Sequence, residues 1–170
     1  SQYEEVLVVR VHPSILKHQK LPHSEDTREF WDARLESIRS QEQHLARNGT
    51  IILKFWLNVS LDEQRQRFLR RLNRPDKNWK FSAADVRERQ FWPQYMEAYE
   101  QALNATSRPW APWYSIPADD KPAMRAAVAE TIVKALSTIG LQYPEPDAEE
   151  VATFDEMRRV LDAETPAAED

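Results

Sequence analysis

The sequence contains no cysteine and only two glycines, Gly49 and Gly140. Without cysteine there is neither a disulfide framework nor a thiolate metal site. Two isolated glycines cannot build the G-x-x-x-x-G-K loop that cradles phosphates, nor the G-x-G-x-x-G turn of a dinucleotide site. Each follows an amphipathic stretch, where a left-handed residue closing a helix is the usual role. Long apolar runs are also missing. None approaches the roughly 18 residues of a membrane span, and no charged-then-apolar leader opens the chain. With 41% hydrophobic and 30% charged residues over 170 positions, these absences predict one soluble, globular domain without membrane contact, expected in the cytoplasm.

The net charge of -5 argues against a general or specific nucleic-acid binder, which would normally be basic. That average hides an island. Between Arg65 and Arg89 nine Lys/Arg face three acids, a net of +6 that leaves -11 for the rest of the chain. A basic island in an acidic protein suggests a local anionic ligand.

Periodicity sets out the elements. Glu4 to His12 holds four consecutive valine-rich apolar residues, and propensity reads it as a strand ended by Pro13. Trp31, Leu35, Ile38 and Leu45 recur at helical spacing, predicting a helix over 27–47 stopped by Gly49. Ile51 to Val59 is nearly all apolar and suits a parallel strand covered on both faces. Ser60 with Glu63 is a capping-box pattern opening a helix from Leu61 to Leu72, which Asn73-Arg74-Pro75-Asp76 breaks. Ser82 and Asp85 start another at 84–104, with a kink or restart expected at Pro93. Ala111 to Ile116 is a second short strand. Asp119 or Asp120 then caps a helix with Met124, Val128, Ile132, Ala135, Leu136 and Ile139 on its apolar side. A short docked helix is expected at 147–163 in an acidic tail covering 145–170, with Thr165 to Asp170 disordered. The order strand, helices, strand, helix implies a parallel α/β crossover. Two strands are few for five helices, so further strands are expected upstream of Ser1.

The residues that carry chemistry lie in the basic island. Arg67, Arg70, Arg71 and Arg74, at i, i+3, i+4 and i+7, share one helix face, while Leu61, Phe68, Leu69 and Leu72 occupy the opposite face and can pack on the sheet. Cations at i and i+4 repel by about 0.2–0.5 kcal/mol per exposed pair, and only Glu63 offers relief on that face. Such a guanidinium face suits an oligoanion, because the planar fork matches phosphate oxygens. The alternative for such a face is solvation, or pairing to a neighbouring helix through Glu88, Glu97 or Glu100. The break that follows adds Lys77 and Lys80 beside Arg74, on a hinge-like connection of the kind that closes over phosphate substrates.

The stretch Arg71 to Trp92 (RLNRPDKNWKFSAADVRERQFW), then Tyr95, Ala98-Tyr99-Glu100 and Ala111-Pro112-Trp113-Tyr114-Ser115-Ile116-Pro117-Ala118, resembles the polyphosphate kinase 2 family. The opening Ser1 to His12 is similar to the segment just after that family's Walker-B-like strand, and Gly49 to Leu57 to its next strand. The likeness runs over about 1–144. It implies a thymidylate-kinase-like P-loop fold with a parallel sheet and helices on both faces, here lacking its first strands. It also implies Mg²⁺, although the family's Walker A and Walker B ligands have no counterpart among these residues. The implied activity moves a phosphoryl group between inorganic polyphosphate and a purine nucleoside mono- or diphosphate (ADP/AMP or GDP/GMP), in a homo-oligomer. A non-catalytic polyanion-binding module and a degenerate partner subunit are the alternatives.

The resemblance further implies that a lid spans about 74–84, and that Val6 to His12 is helical, against propensity. On this reading Arg74, Lys77 and Lys80 are the catalytic cations, and Arg67, Arg70 and Arg71 bind phosphate. Tyr3 and Arg10 line the nucleotide side, joined by Trp79 either as a base contact or as hinge packing. His12, His18, His23 and His44 lack zinc-site spacing and are expected as surface or packing residues. Trp31, Trp56 and Trp113 are expected in the core.

Overall fold

The computed structural model describes residues 2–19, 21 and 27–164; the expectations for His23 and for Thr165 to Asp170 lie outside these. The protein is a helix-rich α/β structure around a two-stranded parallel sheet. Two compact units, Ser1–Ile132 and Val133–Asp170, are described separately.

The valine-rich opening is helical, as the family resemblance implied and against its β-propensity. Helix α1 (Gln2–Glu4) continues as a π-helical turn through Glu5–Val9. The reason is spacing. Val6 and Val9 are both buried, and a three-residue separation places them on one helix face but on opposite faces of a strand. They join Leu16, Trp31, Leu35, Ile38 and Ala102 in the main core. Pro13–His18 follows as a 3-10 helix with the proline in its first turn.

Helix α2 (Arg28–Arg47) begins where predicted, with the Thr27 hydroxyl accepting from Phe30 N–H at 3.2 Å. Gly49, at φ 88, lies in the left-handed region just past its end. The buried stripe departs from prediction at one residue. It runs Trp31, Leu35, Ile38 and then Glu42, whereas Leu45 is exposed.

Strand β1 (Lys54–Asn58) pairs in parallel with β2 (Trp113–Pro117), in the register Lys54 to Trp113 through Asn58 to Pro117. The expectation of a strand covered on both faces over 51–59 is corrected. Ile51 to Leu53 stay outside the pairing, Lys54 alone is buried, and Ile51 and Leu57 are exposed. An apolar run reports a preference for burial, but the layers that satisfy it come from elsewhere in a fold.

Helix α3 (Leu61–Leu72) matches its predicted bounds. Only half of the capping box forms. Ser60 Oγ accepts from Glu63 N–H at 3.1 Å, whereas the Glu63 carboxylate turns to arginines and Ser60 N–H finds Asp119 instead. The helix's apolar side does not bury on the sheet: Leu61, Leu69 and Leu72 are exposed. A 3-10 helix at Pro75–Lys80 and helix α4 (Ala83–Glu88) follow. The break predicted at Pro93 falls earlier, in the 3-10 turn Arg89–Phe91, so Pro93 sits harmlessly in the first turn of α5 (Trp92–Thr106).

Helix α6 (Lys121–Ser137) is opened by Asp120, whose carboxylate accepts from Ala123 N–H at 3.0 Å, and Gly140 follows its end at φ 64. Its proposed apolar side buries no residue. In the second unit, α7 (Ala148–Asp162) forms with Asp147 as its cap, 2.7 Å from Glu150 N–H. The helix expected at 147–163 is present, and Val151, Phe154, Met157, Val160 and Leu161 along it are all exposed. Among the described residues no helix is long and apolar enough to cross a membrane.

Candidate phosphate-facing lid and its supports

At the carboxyl ends of the strands a turn locks α3 in place. Ser60 N–H donates to Asp119 Oδ1 at 2.7 Å, and the Arg67 guanidinium donates to Ala118 O at 2.5 Å and to Glu63 Oε1 at 2.8 Å. Arg67, assigned from sequence to phosphate binding, is therefore half-buried and tied to the chain leaving β2. The Ser60 amide holds the Asp119 carboxyl below its usual range. A carboxylate with a lowered folded-state pKa contributes stability above its unfolded value, about 3.9, and loses it as pH falls through the folded one. The melting-temperature gap between the protein and Asp119→Asn should accordingly be present at neutral pH and shrink as pH falls below the ordinary carboxylate range. Thermal melts across that range check it.

The other cations of the face stand progressively freer. Arg70 donates to the same Glu63 oxygen at 2.7 Å, and both arginines hold Glu63 below the ordinary carboxylate range. The partners considered on neighbouring helices go elsewhere: Glu88 contacts His12 and Tyr95, and Glu97 accepts from Gln101. Arg71 lies over the Phe68 ring at 5.6 Å. Arg74 grips Asp76 through two bonds of 3.1 and 2.9 Å and depresses its pKa. Lys77 adds a further positive charge to Asp76. Lys80 Nζ sits 4.7 Å above the Trp79 ring, and Trp79 is 78% exposed. In the orientation that satisfies its hydrogen bonds, the Asn78 amide reaches the carbonyls of Arg71 and Arg74 at 2.6 Å, folding the lid turn back onto the end of α3. Arg70, Arg71, Arg74, Lys77 and Lys80 thus form one run of cations whose acidic partners are local and at the surface.

Tyr3 occupies a different place. Its hydroxyl donates to Glu42 Oε1 at 2.8 Å, accepts from Lys54 Nζ at 3.0 Å and lies 3.0 Å from Thr106 Oγ1. Lys54 completes its three bonds with Glu42 Oε2 at 2.6 Å and Thr106 O at 2.9 Å, and Trp113 Nε1 donates to Thr106 Oγ1 at 2.8 Å. Burial pushes the Tyr3 phenol up and the Lys54 ammonium down. This network stands at the amino ends of both strands, away from the Ser60–Asp119 turn. Arg10 borders a cleft of about 900 Å³ shared with Thr27, Asp32 and Gln101, its guanidinium 5.6 Å over Trp31. A second cavity of about 670 Å³ is walled by Phe55, Trp56, Phe68, Tyr95 and Tyr99. The predicted phosphate-binding cations line neither.

Of the tryptophans expected in the core, Trp31 is buried, while Trp56 and Trp113 are half-buried. His18 and His44 are exposed, as expected. Sequence reasoning missed the pair Glu42–Lys54. Its signals were present, a lone lysine in an apolar strand and a glutamate on an apolar stripe. Among the described residues no three carboxylates or imidazoles gather to hold a metal ion, so the Mg²⁺ implied by resemblance does not find a ligand set here.

Comparison with known proteins agrees with the family resemblance. The family model for polyphosphate kinase 2 matches residues 1–142. The chain is 49% identical over 162 residues to an ADP-polyphosphate phosphotransferase of Rhodopseudomonas palustris, covering 95% of this chain and 56% of that protein. It is 42% identical over 147 residues to an AMP/ADP-polyphosphate phosphotransferase of Meiothermus ruber, covering 86% and 51%. The crystal structure of polyphosphate kinase 2 from Arthrobacter aurescens TC1 superposes with a TM-score of 0.81 at 36% identity, over 96% of this chain and 53% of that one. The chain thus spans about half the length of these relatives. With the match running from the helical opening through α3, α4 and both strands to past the end of α6, the chain belongs to the polyphosphate kinase 2 family.

Proposed function

We propose that this chain is the lid-bearing part of a phosphotransferase that moves a phosphoryl group between inorganic polyphosphate and a purine nucleoside mono- or diphosphate. The observation that carries the reading is the run from Arg70 to Lys80. Its acidic partners, Glu63 and Asp76, are supplied by the same short segment, and the Arg74–Asp76 pair is solvent-exposed on both sides. An exposed ion pair is worth only about 0–1 kcal/mol, while a polyphosphate offers many charged oxygens to several guanidinium forks at once. Exchange of these local carboxylates for phosphate is therefore favourable. The 3-10 turn between α3 and α4 carries Arg74, Lys77 and Lys80 as the catalytic cations, neutralising charge that develops on the transferred group. Arg70 and Arg71 hold the chain of phosphates, and Arg67 acts by fixing α3 on the β2 exit.

The finer fold reading is a thymidylate-kinase-like P-loop kinase, in which the outer edge of β1, unpaired among the described residues, takes the next parallel strand. Domain limits follow the same reading: the kinase part covers 1–144 with the lid at about 74–84, and an acidic tail covers 145–170. Arg10, at its polar cleft, and Trp79, with its open ring, are the nucleotide contacts this geometry favours. Tyr3 acts instead through the scaffold network. Mg²⁺ belongs to the proposed activity as the ion that accompanies phosphates. The protein is proposed to work in the cytoplasm as a homo-oligomer. The full protein, given polyphosphate and AMP or ADP, should form the next higher phosphate. Absence of polyphosphate-dependent product with every purine acceptor rejects the reading, and binding without product would identify a polyanion-binding module instead.

A further inference from the structure

Helix α4 is unusual in its supports. It has only six residues, Ala83–Glu88, and none is buried. So short a helix has little stability of its own, and without a buried face its direction depends on what holds its two ends. At the leading end the Phe81 ring meets Phe68 of α3 edge-on, 6.4 Å between centroids. At the trailing end Glu88 Oε2 lies 2.8 Å from His12 Nε2 and accepts from the Tyr95 hydroxyl at 3.0 Å. His12 pulls the Glu88 carboxyl below its ordinary range, and an ionised carboxylate only accepts, so Nε2 carries the proton. The imidazole is itself held edge-on by Phe91 at 4.8 Å and Tyr95 at 6.2 Å. The next residue, Arg89, donates to Leu61 O at 3.1 Å and Gln64 Oε1 at 2.6 Å, at the start of α3. The 3-10 turn Arg89–Phe91 is thus clamped from both sides, and through Glu88 this clamp fixes the trailing end of a helix that buries no residue of its own.

We propose that His12 and Glu88 are positioning residues that anchor the trailing end of the lid and keep its cations in the orientation that receives polyphosphate. The inference rests on the reading of Arg74 to Lys80 as a polyphosphate lid. Neither residue touches the phosphates. They act through α4, by setting the fraction of molecules in which the lid is correctly aimed, and apparent affinity falls in proportion to that fraction. Loss of the anchor should weaken polyphosphate binding more than nucleotide binding, because the Arg10 cleft does not depend on α4 and only Trp79 of the proposed nucleotide contacts lies on the lid.

The test is steady-state kinetics on the full protein with His12→Leu, Glu88→Leu and the double variant. The expected result is a KM for polyphosphate raised about tenfold, a smaller rise in the KM for nucleotide, and a double variant no worse than the worse single one. Glu88→Gln keeps an acceptor for Tyr95 and His12 and should recover most of the loss. Tyr95→Phe, which keeps the ring, should give a smaller rise in the same direction. These two carry the test if a leucine variant does not fold. A polyphosphate KM unchanged across the series, or both KM values rising by the same factor, overturns the anchor. Arg74→Ala run in parallel separates the two claims. If it abolishes polyphosphate use while the His12 and Glu88 variants behave as the parent, only the anchor fails; if it too is unaffected, the lid reading has failed.

Discussion

Replacing Arg74 by alanine in the full protein should lower polyphosphate-dependent turnover by about a hundredfold or more while moving the melting temperature by only a few degrees. The asymmetry follows from where the side chain is. Arg74 is more than half exposed, and among the described residues its one acidic partner is Asp76, two residues away. Losing such a pair costs at most about 1 kcal/mol, or about 2–4 °C for a protein of this size. A cation placed on developing phosphate charge is worth much more, about 10²–10³ in rate for a single preorganised donor. Lys80→Ala should behave alike, since its only described contact is the exposed face of Trp79. Initial rates at saturating nucleotide, set beside thermal melts, make the comparison. Equal activity in both variants would remove the lid assignment.

Lys54→Met should have the opposite signature, a large loss of stability. The Lys54 and Glu42 side chains are 7% and 5% exposed, and every proton of the ammonium has an acceptor. Removing the lysine leaves the Glu42 carboxylate buried without its counter-ion, a change that costs about 3–5 kcal/mol. That is roughly 10 °C in melting temperature. Replacing both partners removes the orphaned charge, so Lys54→Met with Glu42→Leu should be more stable than Lys54→Met alone. Calorimetric or denaturant unfolding of the three proteins decides it, and a double variant worse than the single would show that the network contributes more than mutual neutralisation. Because it joins the helical opening, α2, α5 and both strands at their amino ends, its failure should blunt activity only through loss of folded protein.

What the sequence revealed and what it concealed divide along the range of the interactions. Helix α3 was legible to the residue because its determinants are local, Ser60 at one end and the Asn73-Arg74-Pro75 break at the other. The two glycines were legible because a positive φ after a helix demands little else. The opening segment was misread by propensity, since Val6 and Val9 choose a helix to reach Trp31, Leu35 and Ala102 together. Only the family likeness corrected that. The exposed faces of β1 and α3 were misread for a related reason: apolar patterning states that a face wants cover, and not which segment provides it. In the site, the cations were all visible as a pattern, but their ranking was not. Arg67 is held by Ala118, 51 positions away, and nothing in the spacing of four arginines separates that one from the rest. The same holds for His12 and Glu88, 76 positions apart, which the sequence offered only as a surface or packing imidazole and a possible partner for the arginine face.

The claim that Arg74, Lys77 and Lys80 meet polyphosphate is tested most directly by titrating the full protein with polyphosphate at low and high salt, alongside the triple alanine variant of those residues. The account predicts that the parent binds tightly at low salt, that binding weakens steeply as salt rises, and that the triple variant binds much more weakly with a shallower salt dependence. Binding by the triple variant that matches the parent in affinity and salt slope would contradict it.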